Sequence, residues 1–123
     1  MKKSFRLPKE FATKWLKALR SGEYMQSEDV LYDKYNEGYC CLGVACVIQG
    51  VQKKRLMYKT IIHTTDPVEK EYSAYKNVPK NIPNELLGNC YDNLLVVKLT
   101  TMNDTGVPFT QIADWIEENV EFY

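Results

Sequence analysis

Apolar side chains recur at helical spacing near the start of the chain. They lie three or four residues apart between positions 8 and 20, which places them on one face of a helix: Phe11, Trp15, Ala18 and Leu19. Pro8 suits the first helical turn, because the N–H that proline lacks would have no partner there. Gly22 follows as a helix stop. The pattern therefore predicts a helix from about Pro8 to Arg20.

The C-terminal third predicts two further helices. Asp92 or Asn93 can cap the first, and its apolar face contains Leu95, Leu99 and Met102. Residues 103–106 are typical of a turn. The last helix begins near Pro108, and its inward positions are Phe109, Ile112, Ala113 and Ile116.

The middle of the chain carries weaker patterns. Residues 30–32 and 39–41 are rich in β-favouring side chains and predict a hairpin. The continuous apolar run 42–48 fits a buried strand or a buried helix, and a helical stripe favours a short helix that ends at Gly50. Alternation of apolar and polar positions predicts a strand in residues 56–63.

The remaining segments complete the expected fold. Residues 64–67 predict a turn, 69–81 a polar loop and 83–88 a single helical turn. The chain has 123 residues, of which 45% are hydrophobic and 26% charged, as in an ordinary globular domain. We therefore expect one domain over residues 1–123, of the α+β class: a small antiparallel sheet or hairpin packed with three to four helices.

Charge is balanced overall but uneven along the chain. The formal net charge is zero, which disfavours strong non-specific binding of nucleic acids. Seven Lys or Arg lie in residues 1–20 beside a single acid, whereas the last fourteen residues contain four acids and no base. The two ends could attract each other within a monomer or between subunits, but two solvated helix faces are the preferred interpretation.

Cysteine and hydropathy patterns set the expected environment. The four cysteines are Cys40, Cys41, Cys46 and Cys90, and the only histidine is His63. Their spacing does not match a structural zinc site, so we predict reduced thiols and no bound metal or cofactor. No apolar run approaches the roughly 18 residues of a membrane helix or forms a signal peptide. We expect a cytoplasmic protein that does not bind a membrane.

No pattern in the sequence identifies a catalytic site. A cysteine nucleophile would depend on His63 as its base, and the apolar setting of Cys40 and Cys41 favours inert thiols. The carboxylates of Glu85, Asp92 and Asp104 have no spacing that singles out an acid–base pair. No glycine-rich phosphate loop is present. We therefore favour a binding protein over an enzyme.

Aromatic and basic residues point to a ligand of nucleotide type. Nine Tyr and two Trp offer faces on which a base can stack, and Lys or Arg can pair with phosphate. Two tracts combine both kinds of residue, at 53–59 and 71–76. A solvated strand or loop is the alternative for each tract. From the first tract we select Arg55, Tyr58 and Lys59 as candidate ligand-binding residues.

Three separated motifs resemble a family of small phage and prophage proteins of uncharacterised function. The first motif consists of Trp15, residues 18–22, Tyr24 and Gln26. The second is the run 39–44 together with Cys46, and the third contains Leu99, Asn103, Asp104, Gly106, Phe109, residues 112–114 and Ile116. The resemblance covers residues 11–50 and 94–118 and leaves residues 51–93 unmatched. Packing, a helix stop at Gly22, close backbone approach at Gly43 and a turn at 103–104 account for most of these positions.

This resemblance implies a role in the conflict between a phage and its host. Within the first motif, Arg20, Tyr24 and Gln26 are candidate ligand-binding residues, and for Arg20 and Gln26 a structural role is the preferred alternative. The leading hypothesis is a binding protein, with homo-oligomerisation left open, that sequesters a nucleotide immune signal of the host. The alternatives are an inhibitor that binds a host enzyme and a small nucleotide hydrolase.

Overall fold

The computed structural model describes residues 3–60, 62, 82–87 and 93–123. Several sequence predictions lie outside these ranges: the turn at 64–67, the loop at 69–81, the tract at 71–76, His63, Cys90 and Asp92. In the described residues no helix is long and apolar enough to cross a bilayer. The α+β prediction is confirmed, with about half of the described chain in helices.

The described residues contain four α-helices. Their bounds are Lys9–Arg20 for α1, Cys41–Ile48 for α2, Leu94–Asp104 for α3 and Phe109–Asn119 for α4. Helices α1 and α4 pack against each other, and α2 lies against both α1 and α3. The described ranges also contain short 3-10 helices at Lys53–Arg55 and Asn84–Leu86, and the second confirms the single turn predicted at 83–88.

The helix boundaries follow the predicted capping residues closely. Pro8 precedes α1, Pro108 precedes α4, and Gly22 has a left-handed φ of +78° just after α1. Asn93 caps α3, because its side chain accepts a hydrogen bond from the Val96 N–H at 3.2 Å. These residues explain why helices α1, α3 and α4 begin close to the predicted positions.

Within the described ranges the strands form two separate pairs. Strands β2 (Tyr32–Asp33) and β3 (Gly38–Tyr39) are the predicted antiparallel hairpin, although each is shorter than predicted. Strands β1 (Phe5–Leu7) and β4 (Val120–Phe122) form a parallel pair that joins the two ends of the chain. The second pair was not predicted, because three residues are too few to show an alternating pattern.

The run that follows the hairpin is a helix. Cys40 precedes α2, and Cys41 belongs to the helix and not to a strand as predicted. Gly43 lies so close to Leu31 that a Cβ atom at position 43 would overlap the Leu31 carbonyl oxygen. The predicted close backbone approach at Gly43 is therefore confirmed, and it positions the hairpin against α2.

Two further local predictions were wrong. Residues 56–60 are not a strand: they follow the 3-10 helix Lys53–Arg55, and Met57 forms an isolated bridge with Tyr32. Asn103 and Asp104 are not a turn, because α3 continues through both and the turn follows at Thr105 and Gly106. In the second case a buried interaction, described below, extends the helix.

The core is built mainly from helix faces and the residues that flank the hairpin. Trp15 of α1 is fully buried, and its Nε1 donates a hydrogen bond to the Cys41 carbonyl oxygen at 3.0 Å. This contact ties the first helix to the start of α2. The largest side chains buried beside it are Leu7, Leu19, Leu31, Leu42, Leu86, Leu99, Ile112 and Ile116.

Candidate ligand-binding surface

The six predicted ligand residues fall in three separate places. Gln26 points into the interior beside α3, and Tyr24 lies in a row of aromatic rings behind the hairpin. Arg20 lies on the surface between α1 and α4. The other three follow one another beside the hairpin: Arg55, Tyr58 and Lys59. They therefore do not form a single site.

Gln26 and Asn103 form a buried amide network. The Gln26 Nε2 donates to the Asn103 Oδ1 at 3.0 Å and to the Val107 carbonyl oxygen at 2.7 Å. Its Oε1 accepts a hydrogen bond from the Phe109 N–H at 3.0 Å. Both N–H groups and the oxygen of the Gln26 side-chain amide thus form hydrogen bonds within the protein.

Asn103 is the centre of this network and is completely buried. Its Oδ1 also accepts the Cys41 N–H at 3.2 Å, and its Nδ2 donates to the Ser27 carbonyl oxygen at 2.8 Å. The same Nδ2 contacts the Asp104 Oδ1 at 3.1 Å. The two amides therefore connect three parts of the chain: the segment before the hairpin, the start of α2 and the turn between α3 and α4. This geometry favours the structural alternative for Gln26.

Tyr24 packs against other tyrosines. Its ring meets Tyr39 edge to face at 5.6 Å between centroids, and Tyr39 lies 4.9 Å from Tyr32. Burial first, and then the neighbouring phenols, raise the pKa of Tyr39. The Lys53 ammonium lies 5.6 Å from the Tyr32 ring centre. Tyr32 and Tyr39 belong to the two hairpin strands, so Tyr24 packs against the hairpin through Tyr39.

Arg20 is held by two carboxylates of α4. Its Nη2 donates to Asp114 at 2.7 Å and to Glu117 at 2.8 Å. These hydrogen bonds are the main reason why the pKa of Arg20 is raised. In the neighbouring pair of strands, Arg6 of β1 approaches Glu121 of β4 at 3.9 Å. The basic and acidic ends of the chain thus attract each other within one molecule, which was the less favoured prediction.

An open groove lies between α1 and β4. It has a volume of about 700 Å³ and is lined by Lys3, Thr13, Leu16, Lys17, Arg20, Glu117, Val120, Glu121 and Phe122. We call it the α1–β4 groove. Arg20 is the one predicted ligand residue that lines it.

The hairpin loop presents a different kind of surface. Asp33 fixes the loop, because its Oδ1 accepts the Tyr35 N–H at 2.9 Å and its Oδ2 accepts the Asn36 side-chain amide at 2.7 Å. The Asn36 side chain is the main cause of the lowered pKa of Asp33. Residues 34–37 between the two strands are all exposed. A loop fixed at its base can hold exposed side chains in a defined arrangement.

Two exposed tyrosines surround one lysine at this loop. The Lys34 ammonium lies 5.3 Å from the ring centre of Tyr35 and 5.6 Å from that of Tyr58. Tyr35 is 81% exposed and Tyr58 70% exposed. Hydrogen bonding to Tyr58, and then electrostatic interaction with both phenols, raise the pKa of Lys34. We call Lys34, Tyr35 and Tyr58 the hairpin patch.

Two residues at or beside this patch, Glu37 and Tyr58, have a left-handed backbone conformation. In the described residues, the non-glycine residues with a positive φ are Asp29 at 72°, Glu37 at 53° and Tyr58 at 65°. They lie before the hairpin, in its loop and in the segment beside it. A bulky residue in the left-handed region is uncommon, and such strain is often found where a side chain must be placed for function. Tyr58 is the clearest case, because its exposed ring gains little from packing.

The segment that carries Tyr58 is attached to the hairpin strand. The Leu31 N–H donates to the Lys59 carbonyl oxygen at 2.7 Å, and Met57 bridges Tyr32. Arg55 and Lys59 are both half-buried and have partners within the protein. The structure thus brings Tyr58 together with Lys34 and Tyr35, which were not predicted as ligand residues.

The thiols have the properties of packing residues. Cys40, Cys41 and Cys46 are free and buried, and burial raises the pKa of Cys40 to about 11 and that of Cys41 well above its usual range. Such thiols remain protonated and unreactive at neutral pH. The described ranges contain no group of three or more Cys, His, Asp or Glu side chains arranged to hold a metal ion.

One family covers nearly the whole chain. Residues 7–120 match the family described as domain of unknown function DUF8296. The chain belongs to the DUF8296 family. The DUF8296 domain also includes residues 51–93, which the sequence resemblance left out. No curated protein and no solved structure matches the chain.

Within this DUF8296 domain, two features escaped the sequence analysis. Asn103 continues the spacing of Leu95 and Leu99 on the buried face of α3, so an amide at a core position was the signal for the network. Lys34 and Tyr35 lie in a polar loop where exposure is the rule. They become candidate ligand-binding residues only because folding brings Tyr58 beside them.

Proposed function

We propose that this protein binds a small nucleotide-like ligand at the hairpin patch. The observation that carries the proposal is the arrangement of two exposed tyrosine rings around the Lys34 ammonium. An exposed aromatic ring provides a face for a nucleobase, at roughly 1–3 kcal/mol per stacked base. The lysine provides a cation for phosphate. Stacking and charge pairing together match the two halves of a nucleotide.

The side chains of the patch are better suited to ligand binding than to catalysis. The patch itself contains a lysine and two phenols but no carboxylate, imidazole or thiol. General acid–base hydrolysis of a nucleotide usually depends on such groups. Sequestration needs only tight binding, so it is the simplest activity for this surface.

The biological role follows from the resemblance to phage and prophage proteins. A phage protein that removes a nucleotide immune signal of its host would act as a counter-defence factor in the host cytoplasm. Binding without turnover requires about one protein site per signal molecule. A small protein, as a monomer or a homo-oligomer, is suited to production in that quantity.

Native mass spectrometry of the full chain tests the proposal. The protein is mixed with a panel of cyclic oligonucleotides and ADP-ribose derivatives, and each sample is then heat-denatured so that the released molecule is identified. We expect one compound to bind and to be released unchanged, and the same spectrum gives the number of subunits. Failure of the whole panel to bind at micromolar concentration would refute the proposal.

Paired variants locate the binding site. The double variant Tyr35→Ala with Tyr58→Ala should weaken binding by at least about tenfold, since stacking is worth roughly 1–3 kcal/mol per base. Tyr123→Ala is the matched control, because Tyr123 is also an exposed tyrosine but contacts Glu85 and Arg6 away from the hairpin. Equal weakening by the control would contradict binding at the patch.

Two alternatives predict other outcomes of the same experiment. A nucleotide that is released in cleaved form would indicate a small hydrolase. A chain that binds no nucleotide but retains a host enzyme in a pulldown would indicate a protein inhibitor. In both cases sequestration at the hairpin patch would be abandoned.

A further inference from the structure

The short parallel pair at the chain ends leaves one edge of β4 open. The Tyr123 N–H donates to the Leu7 carbonyl oxygen at 3.0 Å, and the Tyr123 carbonyl oxygen accepts the Lys9 N–H at 2.8 Å. In a parallel ladder alternate residues bond to the same neighbour. Glu121 and Tyr123 therefore face β1, whereas Val120 and Phe122 turn their backbone groups to the opposite side.

The backbone of Phe122 has no partner on that side. In the part of the chain that the structure describes, β4 pairs with β1 alone, and no other hydrogen bond involves the Phe122 N–H or carbonyl oxygen. The Val120 N–H ends α4 by bonding to the Ile116 carbonyl oxygen, so at Val120 the carbonyl oxygen faces the open edge. An unpaired strand edge of this kind is a template for another extended chain.

The open edge faces the α1–β4 groove. Val120, Glu121 and Phe122 all line this groove. Successive side chains of a strand point to opposite faces of the sheet, so contact with three consecutive residues indicates that the groove reaches the strand edge. Across the groove, α1 contributes one helical stripe composed of Thr13, Leu16, Lys17 and Arg20. The volume of about 700 Å³ provides room for a short extended segment.

Charge identifies the kind of segment that fits. The two carboxylates of the groove each have an arginine partner, since Glu117 bonds to Arg20 and Glu121 approaches Arg6. Lys17 has no hydrogen-bond or charged partner in the described residues. Among the described residues Lys3 donates to the backbone carbonyl of Glu117 and has no carboxylate partner. Because Arg20 is shared by Glu117 and Asp114, the groove and its ion-pair partners carry a net excess of one positive charge, which comes from Lys3 and Lys17 and lies beside an unpaired strand edge.

We propose that the α1–β4 groove is a docking site for an extended acidic peptide, which adds as a strand to β4. The peptide backbone bonds to Phe122 and to the Val120 carbonyl oxygen, its apolar side chains contact Leu16 and Phe122, and its carboxylates pair with Lys3 and Lys17. Main-chain bonds supply affinity, and the two lysines select for acidic sequences. This site is separate from the hairpin patch and is independent of nucleotide binding.

Fluorescence anisotropy with a defined peptide tests this proposal on the full chain. The probe is a fluorescein-labelled hexapeptide of alternating Val and Glu. Its controls are the Val and Lys version, and a Val and Glu version whose alternate backbone nitrogens are methylated. We expect the first peptide to bind, the basic peptide not to bind, and the methylated peptide to lose binding because it cannot form the ladder. Absence of binding by the first peptide, or equal binding by either control, would overturn the proposal.

A charge reversal on α1 locates the peptide. Lys17→Glu should weaken binding by roughly fivefold or more, as expected for reversing a partly exposed charge. Lys9→Glu is the matched control, because Lys9 is an exposed lysine of the same helix outside the groove. Amide NMR of the wild-type chain should show the largest shifts at Glu121 and Phe122 on peptide addition. Equal effects of the two variants, or shifts elsewhere, would refute docking on β4.

Discussion

The amide network and the hairpin patch use polar and aromatic side chains in opposite ways. In the network, Gln26 and Asn103 have their hydrogen-bonding groups satisfied by the protein, and Asn103 is fully buried. In the patch, Tyr35 and Tyr58 expose most of their surface, and Tyr58 also adopts a strained backbone conformation. The network therefore holds the fold together, while the patch is available for a ligand at a cost in stability.

Removal of the central amide should give the largest effect. Asn103→Ala leaves the buried Cys41 N–H and Ser27 carbonyl oxygen without their partner, so we expect the free energy of unfolding to fall by about 3 kcal/mol. Urea denaturation measures the change. Asn36→Ala, in the exposed loop, should cost under about 1 kcal/mol. Similar losses in both variants would contradict the structural role of the network.

Alkaline pH should destabilise the region that the network supports. Burial raises the pKa of Cys40 from 9.0 to about 11, so the thiol stays protonated in the folded chain but ionises in the unfolded chain. The unfolded state then binds fewer protons, and stability falls as pH rises above about 9, by up to roughly 1.4 kcal/mol per pH unit for each thiol. Urea titrations at several pH values should show a smaller alkaline loss in Cys40→Ala. An identical pH dependence in the variant would contradict this account.

Relief of strain in the patch should raise stability while it reduces binding. Tyr58→Gly replaces a residue at φ 65° with one that tolerates this conformation, so we expect a gain of about 0.5–1 kcal/mol in unfolding free energy. Tyr58→Ala removes the same ring but keeps the strain. Both variants should lose nucleotide affinity equally. A destabilised glycine variant would show that the conformation of Tyr58 serves packing and not function.

The smallest effect should come from the ion pairs of Arg20. Arg20→Gln removes contacts with Asp114 and Glu117, but all three side chains are substantially exposed. Exposed ion pairs contribute little, so the loss should be below about 1 kcal/mol and should shrink further in high salt. A larger loss in thermal denaturation would mean that these pairs act with the network as a part of the core.

Local patterns predicted the parts of the fold that local physics determines. Helices α1 and α4 show a clear apolar stripe and proline starts, so their position follows from spacing and capping. The pairing of β1 with β4 joins residues more than a hundred positions apart and has no local signature. Alternation at 56–63 suggested a strand, but a 3-10 helix at Lys53–Arg55 and the positive φ of Tyr58 break the extended path.

The candidate site depended even more on the tertiary fold. Tyr58 was predicted from the mixture of aromatic and basic residues around it in the sequence. In the structure it again lies beside a basic residue, Lys34, and an aromatic one, Tyr35. Lys34 and Tyr35 become its neighbours only because residues 57–59 attach to the hairpin strand through Met57 and Lys59. Gln26 was a reasonable candidate as a motif residue without a packing role, until Asn103 provided its partner. The sequence identifies residue types that can bind a ligand, but the tertiary fold determines which of these side chains stay exposed to bind one.

Amide NMR mapping of the bound nucleotide would test the central claim most directly. The full chain, labelled with ¹⁵N, is titrated with the tightest compound from the native mass spectrometry panel. We expect the largest shifts at residues 33–37 and 57–59, and their loss in the double variant Tyr35→Ala with Tyr58→Ala. Shifts confined to residues that line the α1–β4 groove, or shifts that persist in the double variant, would contradict a ligand site at the hairpin patch.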